Sequence, residues 1–177
     1  MVKQKQIFRQ RCIKTLNKVS KHNRLKHQYN VRNLLENYIK NSKIKNKKLL
    51  FYIPFGFEVN LLKLMIKIRK NNNIFVPFMV DKSFKMVKFR LPLQKGKFGI
   101  LEPKNSLQVY NTVDYMFVPI VGFDNQLRRI GFGKGMYDRF FETLENKPKV
   151  IFIQMFPCYS SITVTESFDI QADIILS

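Results

Sequence analysis

Hydrophobic residues recur at helical spacing in several stretches of the chain. Four of them in residues 3–20 fall on one face of a helix: Phe8, Cys12, Leu16 and Val19. This spacing, at about 100° per residue, predicts an amphipathic helix. The same periodicity predicts three more helices, over residues 30–41, 58–69 and 137–144.

Short apolar runs of strand length lie between these helices. They cover residues 49–54, 74–80, 86–91, 115–121, 150–155 and 170–176. Strands that alternate with helices favour a sheet covered by helices on both faces. We therefore predict an α/β fold, a single three-layer α/β/α domain over residues 1–177 with a largely parallel, mixed central sheet. No repeat or domain boundary interrupts the pattern.

Positive charge is concentrated near the N-terminus. The chain has 177 residues and a net charge of +20, and its first fifty residues hold fifteen Lys and Arg but one acid, Glu36. This excess is compatible with nucleic-acid binding, with attraction of a small polyanion such as a nucleotide or a polyglutamylated cofactor, or with a solvated Lys-rich surface. Because no nucleic-acid motif and no basic–aromatic stripe occur, we expect no nucleic-acid partner.

The two cysteines, Cys12 and Cys158, are far apart in the sequence. They give no zinc-binding spacing, and His22 and His27 have no Cys near them. We see no disulfide framework, which fits a reducing cytoplasm. No apolar core of a signal peptide and no run long enough to span a membrane occur, so we expect no membrane partner.

Three of the seven glycines lie within five residues, at Gly131, Gly133 and Gly135. Glycines let the backbone approach a ligand, and consecutive N–H groups before a helix favour anion binding. Arg129 and Lys134 add positive charge here, and the carboxylate of Asp138 suits a divalent cation. The alternative is a tight strand-to-helix turn in which Asp138 stabilises the start of the helix.

The wider segment is more specific than the glycines alone. It reads Pro119-x-x-x-Phe123-Asp124, then Arg129-Ile-Gly-Phe-Gly-Lys-Gly-Met-Tyr-Asp-Arg139. This pattern resembles the signature of the 5-formyltetrahydrofolate cyclo-ligase family, and the resemblance covers nearly the whole chain. Further matching blocks are Val76-Pro77, and Gly99-Ile-Leu-Glu102-Pro103. In the second of these we take Glu102 either as structural or as a support for residues that contact the ligand.

The N-terminal helix carries a second block of the resemblance, Lys5-Gln-Ile-Phe-Arg9. Lys5 and Arg9 fall on or beside the apolar stripe, whereas Lys3 and Arg11 fall on the opposite side. We therefore expect Lys5 and Arg9 to face the protein body, where a phosphate ligand could lie. The alternative is that both side chains merely extend along the edge of the helix toward water.

The resemblance implies a role for each matching residue. Those expected to bind ATP are Lys5, Arg9, Arg129, Gly131, Phe132, Gly133, Lys134, Gly135, Met136 and Tyr137. Those expected to act in catalysis are Lys134, Arg129 and Arg9. Those expected to contact the folate are Ile53, Glu58, Met86, Phe132 and Tyr137. Asp138 and Asp169 are expected to hold Mg²⁺. For Glu58 the alternative is an acid at the start of a helix, and for Asp169 a solvated residue before an edge strand.

The implied reaction is the cyclisation of 5-formyltetrahydrofolate, with ATP and Mg²⁺, to 5,10-methenyltetrahydrofolate, ADP and phosphate. It would proceed through a phosphorylated iminium at N5, which makes the enzyme a ligase that forms a ring C–N bond. Positioning and electrostatics would carry the catalysis. We expect a cytoplasmic monomer whose folate substrate can carry a polyglutamate tail.

Two departures from the family pattern leave other functions open. Met136 replaces a Tyr of the family, and Phe156-Pro157-Cys158 follows the 150–155 strand where the family has a Gln. The alternatives are a sugar-phosphate enzyme of related fold, a basic nucleic-acid-binding module, or an inactive relative.

Overall fold

The computed structural model describes residues 2–80, 83–96, 99, 101–104, 108 and 110–177. The helices in this part of the chain are α1 (Val2–Lys18), α2 (Lys21–Asn41), α3 (Leu62–Ile68) and α4 (Met136–Glu142). The longer strands are β1 (Lys48–Leu50), β2 (Asn73–Val80), β3 (Ser83–Lys88), β6 (Tyr115–Pro119), β9 (Lys149–Ile153) and β11 (Ile174–Leu176). The shorter strands are β4 (Gln94–Lys95), β5 (Leu101–Glu102), β7 (Gly122–Asp124), β8 (Arg129–Ile130) and β10 (Tyr159–Ser160).

The six longer strands form one sheet in the order β11-β9-β6-β1-β2-β3. All neighbouring strands in it are parallel except β2 and β3, which pair as an antiparallel hairpin with Pro77 opposite Met86. Parallel strands need crossover connections, and two of these contain a helix, α3 between β1 and β2 and α4 between β6 and β9. The predicted largely parallel, mixed sheet is confirmed.

Successive residues of the strands point to opposite faces of the sheet and pack in two separate hydrophobic cores. Leu49 packs beneath α1, α2 and α3, whereas its neighbour Leu50 packs with Phe140 of α4 on the other face. The alternation repeats in β6, where Phe117 joins the first core and Met116 the second. Both faces are therefore apolar and covered, which gives the three layers expected from the sequence.

A small sheet of β10, β7 and β8 stands beside the main sheet and was not predicted. Its centre is Asp124, whose buried carboxylate accepts hydrogen bonds from the N–H groups of Gln126, Val164 and Thr165, among others. Burial raises the pKa of Asp124, but these bonds and the one from the Thr165 hydroxyl outweigh it and hold the pKa below its usual value. The carboxylate thus links the β7–β8 hairpin to the loop before β11.

Some predicted boundaries are wrong. α2 begins at Lys21 rather than at residue 30, because Ser20 caps it by accepting the N–H of Asn23. α3 begins at Leu62 rather than at residue 58, so Glu58 lies in the preceding loop and is not an acid at the start of a helix. The buried Tyr52 hydroxyl donates to the Val59 carbonyl and fixes this loop.

The two cysteines form a disulfide, which corrects the expectation that the chain has none. Cys12 of α1 is bonded to Cys158 across a sequence separation of 146, with their Cα atoms 5.9 Å apart. Because such bonds are typical of oxidising compartments, the cysteines no longer support a reducing cytoplasm. No helix in the described residues is long and apolar enough to cross a membrane.

Candidate active site

The glycine loop separates two cavities. Gly131 and Gly133 line a cavity on one side, whereas Phe132, Lys134 and Met136 line a larger cavity on the other. Along residues 131–134 the lining residues alternate between the two walls, so the loop presents glycines to one cavity and larger side chains to the other. We call these the polar cavity and the apolar cavity.

The polar cavity has a volume of about 430 Å³, within the usual range for a ligand site. It is enclosed by α1, the glycine loop, α4 and the turn before Ile170. The charged residues in its wall are Lys5, Arg9, Arg129, Arg139, Asp138, Glu142 and Asp169. Four cations and three glycines around one space are suited to a polyanion such as a triphosphate.

Lys5 and Arg9 reach this cavity from α1, so both side chains face the protein body as predicted. The Lys5 ammonium donates to both carboxylate oxygens of Asp169, at 2.6 and 2.5 Å. The Arg9 Nε donates to the carbonyl of Gly131 at 2.7 Å. These contacts fasten the N-terminal helix to the glycine loop and to the C-terminal part of the chain.

Arg129 lies in the walls of both cavities. Its guanidinium forms a largely buried ion pair with Asp138 at 2.9 Å, and it lies 5.1 Å from the centre of the Tyr137 ring. Asp138 also accepts the N–H of Ile170 at 3.3 Å. Because Arg129 is oriented by these contacts, its positive charge is fixed at the point where the cavities meet.

Glycine is required in the loop for two different reasons. A Cβ at Gly131 would lie 2.4 Å from the nearest guanidinium nitrogen of Arg129, so a side chain there would displace that group. Gly133 has a φ of +101°, which side chains rarely allow. The sequence thus keeps the polar side of the loop open for a ligand.

The apolar cavity has a volume of about 680 Å³. Its wall is formed mainly by aromatic and aliphatic side chains from the loop after β1, from β2 and from the start of α4. They include Tyr52, Ile53, Phe55, Phe57, Pro77, Met79, Phe132, Met136 and Tyr137. Such a lining is typical of a pocket for a flat organic ring.

Glu58 is a carboxyl group in this mainly apolar wall. Burial raises its pKa to about 7 from the ordinary 4.5, although the N–H of Phe55, 2.9 Å away, and the charge of Arg129 oppose the shift. Burial also raises the pKa of the Tyr137 hydroxyl, and the charge of Glu58 adds to that effect. The cavity therefore offers a carboxyl that changes its protonation near neutral pH.

The structure divides the predicted site residues between the cavities. Lys5, Arg9, Asp138 and Asp169 meet around the polar cavity, and Ile53, Glu58, Phe132 and Tyr137 around the apolar one. Lys134, predicted to lie beside phosphates, lines the apolar cavity. Met86 is 1% exposed in the core beneath α4, and the described residues of neither cavity wall include it.

Three residues of the polar cavity were not predicted: Arg139, Glu142 and Phe168. Arg139 ends the glycine-rich segment, and its guanidinium donates to the Lys134 carbonyl at 2.6 Å. Glu142 lies one helical turn after Asp138, a spacing that could have indicated it. Phe168 directly precedes Asp169, but nothing else in the surrounding sequence indicates that it belongs to a site.

Asp138 and Asp169 are the residues proposed for Mg²⁺. Both carboxylates line the polar cavity, and each is paired with a cation of the protein. No cluster of three or more acidic, His or Cys side chains suited to a metal ion occurs within the described residues. The donor set fits Mg²⁺, which typically takes one or two carboxylates and completes its shell with phosphate oxygens and water.

Comparison with known sequences identifies relatives. A model of the 5-formyltetrahydrofolate cyclo-ligase family matches residues 1–170. The chain is 30% identical over 110 residues to 5-formyltetrahydrofolate cyclo-ligase of Haemophilus influenzae, covering 57% of this chain and 59% of that protein. It is 33% identical over 132 residues to the protein of that name from Mycoplasma genitalium, covering 73% of this chain and 72% of that one.

Solved structures share the fold. A 5,10-methenyltetrahydrofolate synthetase of Aquifex aeolicus superposes with a TM-score of 0.79 and 25% identity, covering 97% of this chain and 88% of that one. The synthetase of Mycoplasma pneumoniae superposes with a TM-score of 0.72 and 19% identity, and 97% of each chain is covered.

Proposed function

The chain belongs to the 5-formyltetrahydrofolate cyclo-ligase family, and we propose that it cyclises 5-formyltetrahydrofolate to 5,10-methenyltetrahydrofolate with ATP and Mg²⁺. The observation that carries this proposal is the glycine loop between a cation-lined cavity and an apolar one, with Arg129 in both walls. A reaction that moves a phosphoryl group from a nucleotide to a ring substrate needs two adjoining sites of this kind.

The polar cavity would bind the triphosphate of ATP. Lys5, Arg9 and Arg129 provide positive charge around it, and the three glycines in its wall would let phosphate oxygens approach the backbone of the loop. Asp138 and Asp169 would hold Mg²⁺, which supplies charge neutralisation at the phosphates when bound. Lys5 and Arg129, now paired with these carboxylates, would then be shared with the anionic ligand.

The apolar cavity would bind the pterin of the folate. Tyr137 and Phe132 offer aromatic surface, and Glu58 offers a carboxyl for the polar edge of the ring system. A carboxyl whose pKa is about 7 can donate as well as accept a hydrogen bond at neutral pH. Lys134 enters this cavity beside Gly135, which lines both cavities, and so would lie near the transferred group.

The chemistry requires activation of an amide-like oxygen. The formyl oxygen on N5 would attack the γ-phosphorus, which breaks the bond to ADP and leaves an iminium phosphate at N5. N10 would then attack the iminium carbon and lose its proton, and phosphate would depart with the electron pair of the C–O bond and take up that proton, which gives the methenyl bridge. The cations at the shared wall stabilise the charge on the moving phosphoryl group, and no nucleophile of the protein is needed.

The setting of the reaction is part of the proposal. We place the enzyme in the cytoplasm as a monomer of one domain, acting on folate with or without a polyglutamate tail and without a nucleic-acid partner. The family supports folate as the substrate, and the lack of a nucleic-acid motif in the sequence supports the absence of a nucleic-acid partner. The Cys12–Cys158 disulfide counts against the cytoplasmic location, because such bonds are rare in a reducing compartment.

An absorbance assay tests the proposal. 5,10-Methenyltetrahydrofolate absorbs in the near ultraviolet, so mixing enzyme, 5-formyltetrahydrofolate, ATP and Mg²⁺ should produce this band. We expect Lys134→Ala and Asp138→Ala to lower the rate at least about tenfold, because each removes a charge beside the transferred group. Lys63→Ala is the matched control, since this exposed lysine of α3 is in neither cavity wall.

Two results would contradict the proposal. One is the absence of the band with folded wild-type protein under conditions where a related synthetase produces it. The other is near wild-type turnover in both Lys134→Ala and Asp138→Ala, which would remove the glycine segment from the reaction.

A further inference from the structure

Phe168 is an exposed aromatic residue at a charged site. Its side chain is 67% exposed, the highest value among the large apolar side chains in the described part of the chain. It lines the polar cavity, where it is the only aromatic residue among the described lining residues. A single exposed Phe is unremarkable elsewhere on a surface, but here the ring borders a space surrounded by ionic groups.

The ring stands on a turn that is fixed from several sides. The N–H of Asp169 donates to the Glu166 carbonyl at 3.0 Å, and the N–H of Glu166 donates back to the Asp169 carboxylate at 2.7 Å. The guanidinium of Arg128 donates to the carbonyls of Ser167 and Asp169, both at 2.9 Å. The backbone that carries Phe168 is therefore held in place before any ligand binds.

The position of the ring relative to Lys5 indicates what it could contact. The Lys5 ammonium lies 5.8 Å from the centre of the Phe168 ring, within the range of a cation–π contact, while it also pairs with Asp169. A ribose separates the phosphates of a nucleotide from its base, so a nucleotide whose α-phosphate lies near Lys5 could bring its base to the ring.

We propose that Phe168 is the stacking platform for the nucleobase of the bound nucleotide, an assignment that rests on the proposed function. Cations and glycine amides serve the phosphates, whereas a base needs a flat apolar surface, and Phe168 is the aromatic ring that the described cavity wall offers. Stacking of a base on an aromatic side chain contributes about 1–3 kcal/mol, which is roughly five- to 150-fold in affinity.

Calorimetric titration with two ligands separates the base from the phosphates. ATP and inorganic tripolyphosphate are each titrated, with Mg²⁺, into the wild type, Phe168→Ala, Phe168→Leu and Phe168→Trp. We expect Phe168→Ala to weaken ATP binding at least about fivefold and tripolyphosphate binding less than about twofold. Phe168→Leu should behave like Phe168→Ala, and Phe168→Trp should bind ATP at least as tightly as the wild type.

Tyr29→Ala is the matched control. Tyr29 is 56% exposed on α2 and has its own cation–π contact, with Arg32 at 5.6 Å, but it lines neither cavity. Its loss should leave both affinities unchanged, because it removes an exposed ring of similar kind away from the site.

The remaining outcomes overturn the assignment in distinguishable ways. Equal weakening of ATP and tripolyphosphate in Phe168→Ala would mean that the ring acts through Lys5 on the phosphates. Unchanged affinity for ATP would mean that the ring does not touch the base. If the folded wild type bound neither ligand, the nucleotide site of the proposed function would fail, and this assignment with it.

Discussion

The two cavities accommodate buried charge in opposite ways. In the polar cavity each buried carboxylate has a cation of the protein beside it, since Asp169 pairs with Lys5 and Asp138 with Arg129. In the apolar cavity no ion pair among the described residues involves Glu58, and burial instead raises its pKa to about 7. The polar cavity therefore pairs its buried carboxylates with cations, whereas the carboxyl group of the apolar cavity can bind a proton.

This contrast has a functional meaning under the proposal. Fixed charges suit phosphates, which stay ionic throughout the reaction, whereas a protonatable carboxyl suits a ring with both donors and acceptors. The glycine loop keeps the two environments apart while its backbone remains accessible from the polar side.

The largest loss of activity should follow from placing a side chain on the side of the glycine loop that faces the polar cavity. In Gly131→Ala the added Cβ would lie 2.4 Å from the Arg129 guanidinium, which belongs to both cavity walls. We expect kcat/KM to fall about a hundredfold or more, because displacing Arg129 misplaces the groups at the shared wall. Steady-state kinetics with a check of folding by circular dichroism measures this. A folded variant within about threefold of wild type would show that Arg129 tolerates displacement.

A smaller effect, mainly on the KM for ATP, should follow from removing a single cation of the polar cavity. Lys5→Ala should raise the KM for ATP about tenfold or more, since a charge-assisted contact is lost and the carboxylate of Asp169 then repels phosphate. The KM for the folate should change less than about twofold.

Lys3→Ala is the control for this experiment, because Lys3 is exposed on the same helix and is not part of the cavity wall. Equal changes in the KM for ATP and the KM for the folate in Lys5→Ala would contradict the assignment of a different ligand to each cavity.

The smallest effect concerns the stability of the apolar cavity. Because the folded-state pKa of Glu58 is raised above its ordinary value, the folded protein holds a proton between about pH 4.5 and 7 that the unfolded chain releases. The free energy of unfolding should therefore fall as pH rises through this window. Glu58→Gln should lack this decrease. Its free energy of unfolding relative to that of the wild type should therefore be roughly 1 kcal/mol higher at pH 8 than at pH 5, after discounting for solvent in the cavity.

Urea denaturation of both proteins at the two pH values measures this difference. Parallel pH dependence in wild type and Glu58→Gln would mean that Glu58 keeps an ordinary pKa.

The sequence predicted the layers better than it predicted the site. Alternating apolar strands and the stripe through Phe8 and Leu16 reflect burial, which local periodicity records directly. The side of the loop that Lys134 occupies depends instead on backbone direction between Gly133 and Gly135, which composition does not encode. Phe168 could not be found either, because its position follows from the turn that Arg128 holds in place.

The loop that carries Glu58 shows a different limit. Its apolar residues have helical spacing, yet the helix begins only at Leu62, because the hydroxyl of Tyr52 binds the Val59 carbonyl. A tertiary hydrogen bond thus overrides a local pattern, and it brings the carboxyl into the apolar cavity.

The bridge between Cys12 and Cys158 bears on how ligands come and go. It joins the middle of α1 to the segment after β9, less than one helical turn from Arg9 and about two from Lys5. While the bond is intact, it holds the middle of α1 against the segment after β9 and so restrains this part of the helix from moving outward. Under the proposed function, nucleotide exchange would then depend on rearrangement of side chains in the cavity wall, which is faster than displacement of a whole helix.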